Sequence, residues 1–365
     1  MHELRFYPLG NADTILITLS NEKKILFDYA DMLDRDDNKD KRIDLPSELE
    51  LTVDGDFDIV AFTHADRDHI NKFSEFFYLE HAEKYQSKDR KKIGTLWVPA
   101  AVILEENLED EAKILRAEAR YRLKEGKGIR VFSNPDKLKG WLESQGLSIE
   151  KRADCITRAG NIAPELDLKN DGVEFFVHAP FSGSVGDKTY DRNSTGLVMQ
   201  ATFSENEVNT KLLLGADIDW EVWDDIVSIT KYSNRTERLE WDIFKLSHHC
   251  SYLALNEEKG KEKTEPTDDI RWLFEQGQDK GYLMATCKPI PNDDEDPQPP
   301  HRQAANFYKD IASDIAGDFI VTMEHPNRDK PKTAIIKVDK SKATLEKRIL
   351  AASVSIPSKN HHKAG

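Results

Sequence analysis

Cysteine is scarce in this sequence, with three among 365 residues. Cys155, Cys250 and Cys287 cannot all pair, and their spacing matches no zinc-knuckle or redox motif, so they read as reduced thiols and point to a cytoplasmic protein. Long apolar runs are missing as well. The longest, Asp58 to Phe62 and Val173 to Ala179, are strand-sized, against the ~20 residues of a membrane helix, so no membrane role is expected. The first residues lack the basic-then-apolar build of a secretion signal. Basic residues are in deficit too: 52 Lys and Arg against 67 Asp and Glu, for a formal net charge of −15. Such a balance argues against a surface that coats nucleic acid. It leaves phosphodiester chemistry open, because bound divalent cations would dominate the local field of a site. What remains is 38% hydrophobic and 33% charged, the make-up of a globular chain with a highly charged surface.

Residues 3–29 alternate apolar and polar side chains around a turn at Asn21-Glu22, which predicts an antiparallel pair opening a sheet. Residues 31–44 are Asp-, Lys- and Arg-rich and read as a solvated excursion. Phe57 to Thr63 predicts a buried strand, and Ile70, Phe73 and Phe77 follow at helical spacing. Further strands are expected at 96–98, 129–132, 173–179, 195–202, 210–215, 282–287 and 319–323. Helices are expected at about 104–123, 135–145, 220–226 and 302–312. Two β-rich halves of this kind suit an α/β sandwich of two sheets flanked by helices.

Four metal-competent side chains, His64, Asp66, Asp68 and His69, fall within six residues on the loop leaving the buried strand. Carboxylates and neutral imidazoles are good ligands, and burying the cluster without a cation would cost several kcal/mol in desolvation and repulsion. The second half repeats the strand-then-site pattern at Phe244-Lys245-Leu246, which leads into Ser247-His248-His249-Cys250-Ser251. Asp217 ends another strand, as a site residue or as the cap of the helix after it. His361 and His362 read as solvated residues of the tail.

The segment Thr63-His64-Ala65-Asp66-Arg67-Asp68-His69 resembles the signature of the metallo-β-lactamase superfamily, in the variant where the second histidine is Asp. With the rest of the pattern it resembles the soluble hydrolase domain attached to the bacterial DNA-uptake channel protein ComEC, and the free-standing relatives of that domain. Gly10-Asn11-Ala12-Asp13 and Phe27-Asp28 are similar to the family's opening Gly-x-Gly-Asp and Ile-Asp elements, with Ala12 in place of a glycine and Tyr29-Ala30 in place of Thr-Gly. Asn193-Ser194 resembles its Asn-x-Ser element, Leu213 to Asp217 its Leu-Thr-Gly-Asp strand end, Lys245 to Ser251 its Lys-x-x-His-His-Gly-Ser, and Pro300-His301 its late Pro-His. Cys250 stands where glycine is usual. A superfamily histidine ahead of Asn193 is not evident; His178 stands in the right region, as a core residue or a ligand.

The resemblance implies a metallo-β-lactamase αββα sandwich of two mixed sheets. One domain would span 1–345, with charged insertions near 32–50 and 100–170 and a tail at 346–365. It implies two divalent metal ions, with His64, Asp66 and Asp217 on one side and Asp68, His69, Asp217 and either His248 or His249 on the other. The oxygen-rich ligand set makes manganese or magnesium credible beside zinc. A hydroxide shared by the metals would be the nucleophile. Asp68 would orient it or carry its proton, and Lys245 or His301 would stabilise the developing anion. The implied activity is that of a metal-dependent hydrolase acting on phosphodiesters, as a nuclease or nucleotide phosphodiesterase, with a nucleotide or single-stranded nucleic acid as partner. Hydrolysis of a lactone, thioester or amide is the alternative enzyme reading. The non-enzyme alternative is a metal-binding regulatory protein with a protein partner from the same operon.

Overall fold

Alternation along the strands decides the architecture, because successive side chains on a strand face opposite sides of a sheet. In the computed structural model, residues 1–133, 135–181 and 195–346 are described. Among them the strands are β1 (His2–Phe6), β2 (Ile15–Thr18), β3 (Lys24–Phe27), β4 (Phe57–Ala61), β5 (Ile93–Pro99), β6 (Ile129–Phe132), β7 (Ile156–Thr157), β8 (Val173–Ala179), β9 (Val198–Glu205), β10 (Val208–Leu214), β11 (Trp241–Lys245), β12 (Gly277–Ala285), β13 (Asp318–Val321), β14 (Ala334–Asp339) and β15 (Lys342–Leu345). The helices are α1 (Leu45–Thr52), α2 (Arg67–Ile70), α3 (Phe73–Phe76), α4 (Ala100–Leu104), α5 (Asp110–Glu125), α6 (Pro135–Ser144), α7 (Trp220–Tyr232), α8 (Asp268–Phe274) and α9 (Arg302–Asp314).

One sheet has the order β15-β14-β1-β2-β3-β4-β5-β6-β7 and the other β13-β12-β11-β10-β9-β8. Both are mixed: β3 to β7 run parallel, as do β10 to β13, and antiparallel strands complete each sheet. The sides of the strands separate cleanly. Leu16, Leu26, Val60 and Leu96 pack with Leu49, Phe73, Leu115 and Leu142 from the helices of the first half. Their neighbours Ile17, Ile25, Ile59 and Trp97 turn inward and pack on Phe175, Met199, Leu212 and Ile243 of the second sheet. The far side of that second sheet, with Leu213, Phe244 and Leu283, is covered by Trp223, Ile270, Leu273 and Phe307 of α7, α8 and α9. The result is a layered helix–sheet–sheet–helix sandwich, the α/β class expected from the sequence.

Several boundaries differ from those expected. The helix after His69 is broken into α2 and α3, because Lys72 takes a left-handed backbone (φ 59°) between them. Residues 100–170, which looked like an insertion, carry α4, α5 and α6 and the two strands that extend the first sheet at its edge. The charged excursion ends in α1, which buries Leu45 and Leu49. Asn193-Ser194, and the tail from 347 with His361 and His362, lie outside the described residues. No helix among the described residues is long and apolar enough to cross a membrane.

The parallel strands set the place of the site. In sheets of this kind the carboxyl ends of parallel strands open into loops along one edge, where ligands bind. Here β3 ends before Asp28, β4 before Thr63 and His64, β10 before Asp217, β11 before His248 and His249, and β12 before Thr286. The two sheets are tied at this edge by a main-chain hydrogen bond from Leu197 N–H to Thr63 O at 2.9 Å.

Candidate metal centre

Asp68, His69, Asp217 and His249 each offer a ligand atom, and these atoms all lie within 4.8 Å of one another. Asp217 Oδ2 stands 3.2 Å from His69 Nε2 and 3.1 Å from His249 Nε2, and Asp68 Oδ2 is 3.1 Å from the same His249 nitrogen. His64 packs its ring 3.9 Å from that of His69, with Nε2 3.6 Å from Asp66 Oδ2. His64, His69, Asp217 and His249 are buried, whereas the side chains of Asp66 and Asp68 are 35% and 33% exposed, so the cluster opens to solvent on their side.

The imidazoles are held from behind through Nδ1. His69 Nδ1–H donates to Asp28 Oδ2 at 2.8 Å, and His249 Nδ1–H donates to the carbonyl oxygen of Thr286 at 2.8 Å. Thr63 donates its hydroxyl to Asp28 Oδ2 at 2.8 Å, which turns its oxygen lone pair to His64 Nδ1 at 3.1 Å. Asp28 is fixed in turn by the Thr63 N–H at 2.7 Å. With Nδ1 protonated and occupied, each ring leaves Nε2 for a ligand role, the arrangement that metal-binding histidines share. His64 Nε2 and Asp217 Oδ1 are buried and make no hydrogen bond. Orphaned buried polar atoms of this kind cost about 1–3 kcal/mol each, and a cation is a partner that suits either an imidazole nitrogen or a carboxylate oxygen. The residues present therefore fit a metal.

The local field agrees. Burial, followed by the neighbouring His69, holds the pKa of His64 well below its ordinary value, so this ring is neutral. Burial opposes charge on His69 and His249 as well, but Asp217 outweighs it. With Asp28 it lifts His69 well above its usual range, and with Asp68 it brings His249 to about 10. Asp217 and Asp68 are held low against burial, chiefly by His249 and His69. The carboxylates thus favour positive charge at this spot. A proton on an imidazole and a divalent cation both answer that demand, and cation binding releases the proton.

No protein-family model matches the chain, and no curated protein matches it. Among solved structures, the metallo-β-lactamase fold protein YhfI from Bacillus subtilis aligns over 92% of this chain and 100% of its own, at 9% identity and a TM-score of 0.43. Unliganded yeast PDE1 aligns over 88% of this chain and 96% of its own, at 10% identity and a TM-score of 0.42. Tm1679, a metal-dependent hydrolase of the β-lactamase superfamily, covers the same shares at 10% identity and a TM-score of 0.38. The chemistry of the present site is read from its own geometry.

Three residues expected at the site take other positions. His248 donates Nδ1–H to Asp219 Oδ1 at 3.0 Å, and it is His249 that the chain brings to the cluster. Lys245, expected to face a developing anion, is 2% exposed, with Nζ donating to the Ala216 carbonyl oxygen at 3.1 Å and paired with Asp13. His301 is buried and both its nitrogens serve the main chain: Nε2–H donates to Pro297 O at 3.2 Å and Nδ1 accepts from Tyr252 N–H at 3.4 Å. It braces the turn after β11, into which its own N–H donates at Cys250 O, 3.0 Å away. Asp217 is no helix cap, since Asp219 occupies that position before α7. His178 stands apart, donating Nε2–H to Arg238 O at 2.9 Å.

Asp13, Asp28 and Thr63 form the layer behind the ligand atoms, a role the sequence reading did not assign. The available signal was positional: Asp28 directly follows a strand parallel and adjacent to the one that leads to His64. Cys250, which stands where glycine was expected, adopts the left-handed conformation (φ 64°) that glycine would take without strain.

Proposed function

We propose that the chain is a divalent-metal-dependent hydrolase of the metallo-β-lactamase superfamily, acting on phosphodiesters of a nucleotide or single-stranded nucleic acid. The observation that carries the metal reading is the convergence of Asp68, His69, Asp217 and His249 within 4.8 Å, with His64 Nε2 and Asp217 Oδ1 buried and making no hydrogen bond. Those four residues would hold one cation, and His64, Asp66 and Asp217 a second, with zinc, manganese or magnesium as candidates. Asp68 and Asp217, both held low against burial, make the site favourable to bound cations. Cations held here supply Lewis acidity and a water nucleophile near neutral pH.

The chain's own residues do the rest. Asp68, one-third exposed and in contact with His249, would orient a water or carry its proton. Asp28 and Thr63 fix the tautomers of His69 and His64. Arg67, exposed between Asp66 and Asp68, adds a guanidinium suited to a phosphate. The resemblance at residues 63–69, 213–217 and 245–251 favours phosphodiesters over lactones, thioesters or amides, and a net charge of −15 favours a small or single-stranded substrate over duplex DNA.

The test is elemental analysis of the purified chain, with hydrolysis of bis-p-nitrophenyl phosphate and short single-stranded DNA under zinc, manganese or magnesium. Metal-dependent cleavage that Asp217→Asn abolishes is the expected result. Bound metal without phosphodiester cleavage moves the substrate to an ester or lactone, and a chain that binds no metal overturns the proposal.

A further inference from the structure

Lys245 is buried beside the site, and its surroundings are unusual. Its ammonium pairs with Asp13 Oδ2 and donates to Ala216 O, while Asp217 Oδ1 lies 3.6 Å away and makes no hydrogen bond. An ammonium set between two carboxylates would ordinarily share itself between them. Here Asp13 takes the close contact and Asp217 Oδ1 keeps only the longer ion pair at 3.6 Å, without a hydrogen bond. Asp13 is itself anchored: it is 2% exposed, and its N–H donates to Asp68 O at 3.0 Å, which ties the first loop of the chain to the histidine-bearing turn.

We propose that Asp13 is a positioning residue that sequesters the Lys245 ammonium, so that Asp217 Oδ1 stays available to a second divalent cation. The inference rests on the reading of Asp217 as a ligand. An ammonium and a metal ion compete for the same carboxylate oxygen, and a lysine freed from Asp13 needs to close little more than half an ångström, by order of magnitude, to hydrogen-bond Asp217.

The experiment compares the parent chain with Asp13→Asn, Lys245→Met and the double variant. It measures affinity and stoichiometry for zinc and manganese by competition with a chromogenic chelator, and records the Tm of each metal-free protein. Asp13→Asn, close to isosteric, is expected to weaken the second cation by about tenfold or more, as the released lysine turns to Asp217. The double variant, lacking both charges, is expected to return to within about threefold of the parent. A purely structural role for Asp13 would lower Tm and leave affinity unmoved. Parent-like affinity in Asp13→Asn, or a double variant no better than Asp13→Asn, overturns the inference. Should Asp13→Asn fail to fold, the double variant decides alone: near-parent affinity supports sequestration, and loss of the second cation refutes it. A parent chain that binds no cation overturns the proposed function itself, whereas a parent that binds two with indifferent variants overturns the pairing role only.

Discussion

The turn after β4 and the turn after β11 deliver histidines to the same cluster by different means. Between His64 and His69 the backbone stays clear of the left-handed region, and the side chains are held by other side chains, Asp28 and Thr63. After β11 the backbone itself is contorted, with His248, His249 and Cys250 in succession at φ 50°, 51° and 64°. Left-handed conformations cost about 1–2 kcal/mol for each such residue, and here they are held by main-chain contacts: Ser251 N–H to His248 O at 2.9 Å and His301 N–H to Cys250 O. The first turn is restrained by chemistry behind relaxed backbone, the second by backbone that the fold holds under strain. Substitutions in the first should therefore act on metal affinity, and those in the second on stability as well.

The sharpest test removes what the two turns share. Asp217→Asn should cut metal-dependent hydrolysis by on the order of a thousandfold or more, with fold retained by circular dichroism; residual activity near that of the parent would mean the turns do not meet on this residue. Next comes the pair within the second turn. His249→Ala should lose a bound cation by elemental analysis, while His248→Ala keeps its metal content, and the reverse outcome would exchange their roles.

A histidine outside both turns provides a contrast in pH response. Burial, aided by nearby Arg238 and opposed by its hydrogen bond to the Arg238 carbonyl, lowers His178 to about 4 from its ordinary 6.5. A depressed pKa means the unfolded chain takes up a proton that the folded chain refuses. Stability is therefore full above pH 6.5 and is lost as pH falls toward about 4, by about 3 kcal/mol at the lower end. His178→Gln, which keeps an N–H for the Arg238 carbonyl, should remove that part of the acid slope in urea titrations. The smallest effect is expected at Cys250. Cys250→Gly releases left-handed strain and gives up a buried thiol, so its urea midpoint should shift by less than about 1 kcal/mol equivalent, whereas Cys250→Val should lose more, because a β-branched residue resists that φ.

How much of this was legible follows the same division. The layered α/β class was readable because strand alternation is a local signal, and Ile15 to Leu19 or Phe57 to Ala61 carry it whatever surrounds them. The density of His64, Asp66, Asp68 and His69 was readable for the same reason. The choice between His248 and His249 was not, since adjacent residues are separated only by how a strained turn rotates them. Nor were the stations of Lys245 and His301, whose residue types suit a site equally well as ligand-facing groups or as braces. Which they are depends on partners far away in sequence: Asp13 for one, and the main chain at Tyr252 and Pro297 for the other. The break at Lys72 also escaped periodicity, because Ile70, Phe73 and Phe77 keep helical spacing across two short helices.

The placement of the cluster at the edge where both sheets end has a bearing on the life of the protein in a cell. Its candidate ligand atoms come from residues as distant in sequence as Asp68 and His249, on turns that follow one strand of each sheet, and the unfolded chain does not hold them together. A cation that binds the native arrangement alone adds stability in proportion to the logarithm of its free concentration, about 1.4 kcal/mol for each tenfold rise above the dissociation constant. A metal held there would act as a clasp across the sandwich, and metal starvation would then shorten the survival of the chain against proteolysis.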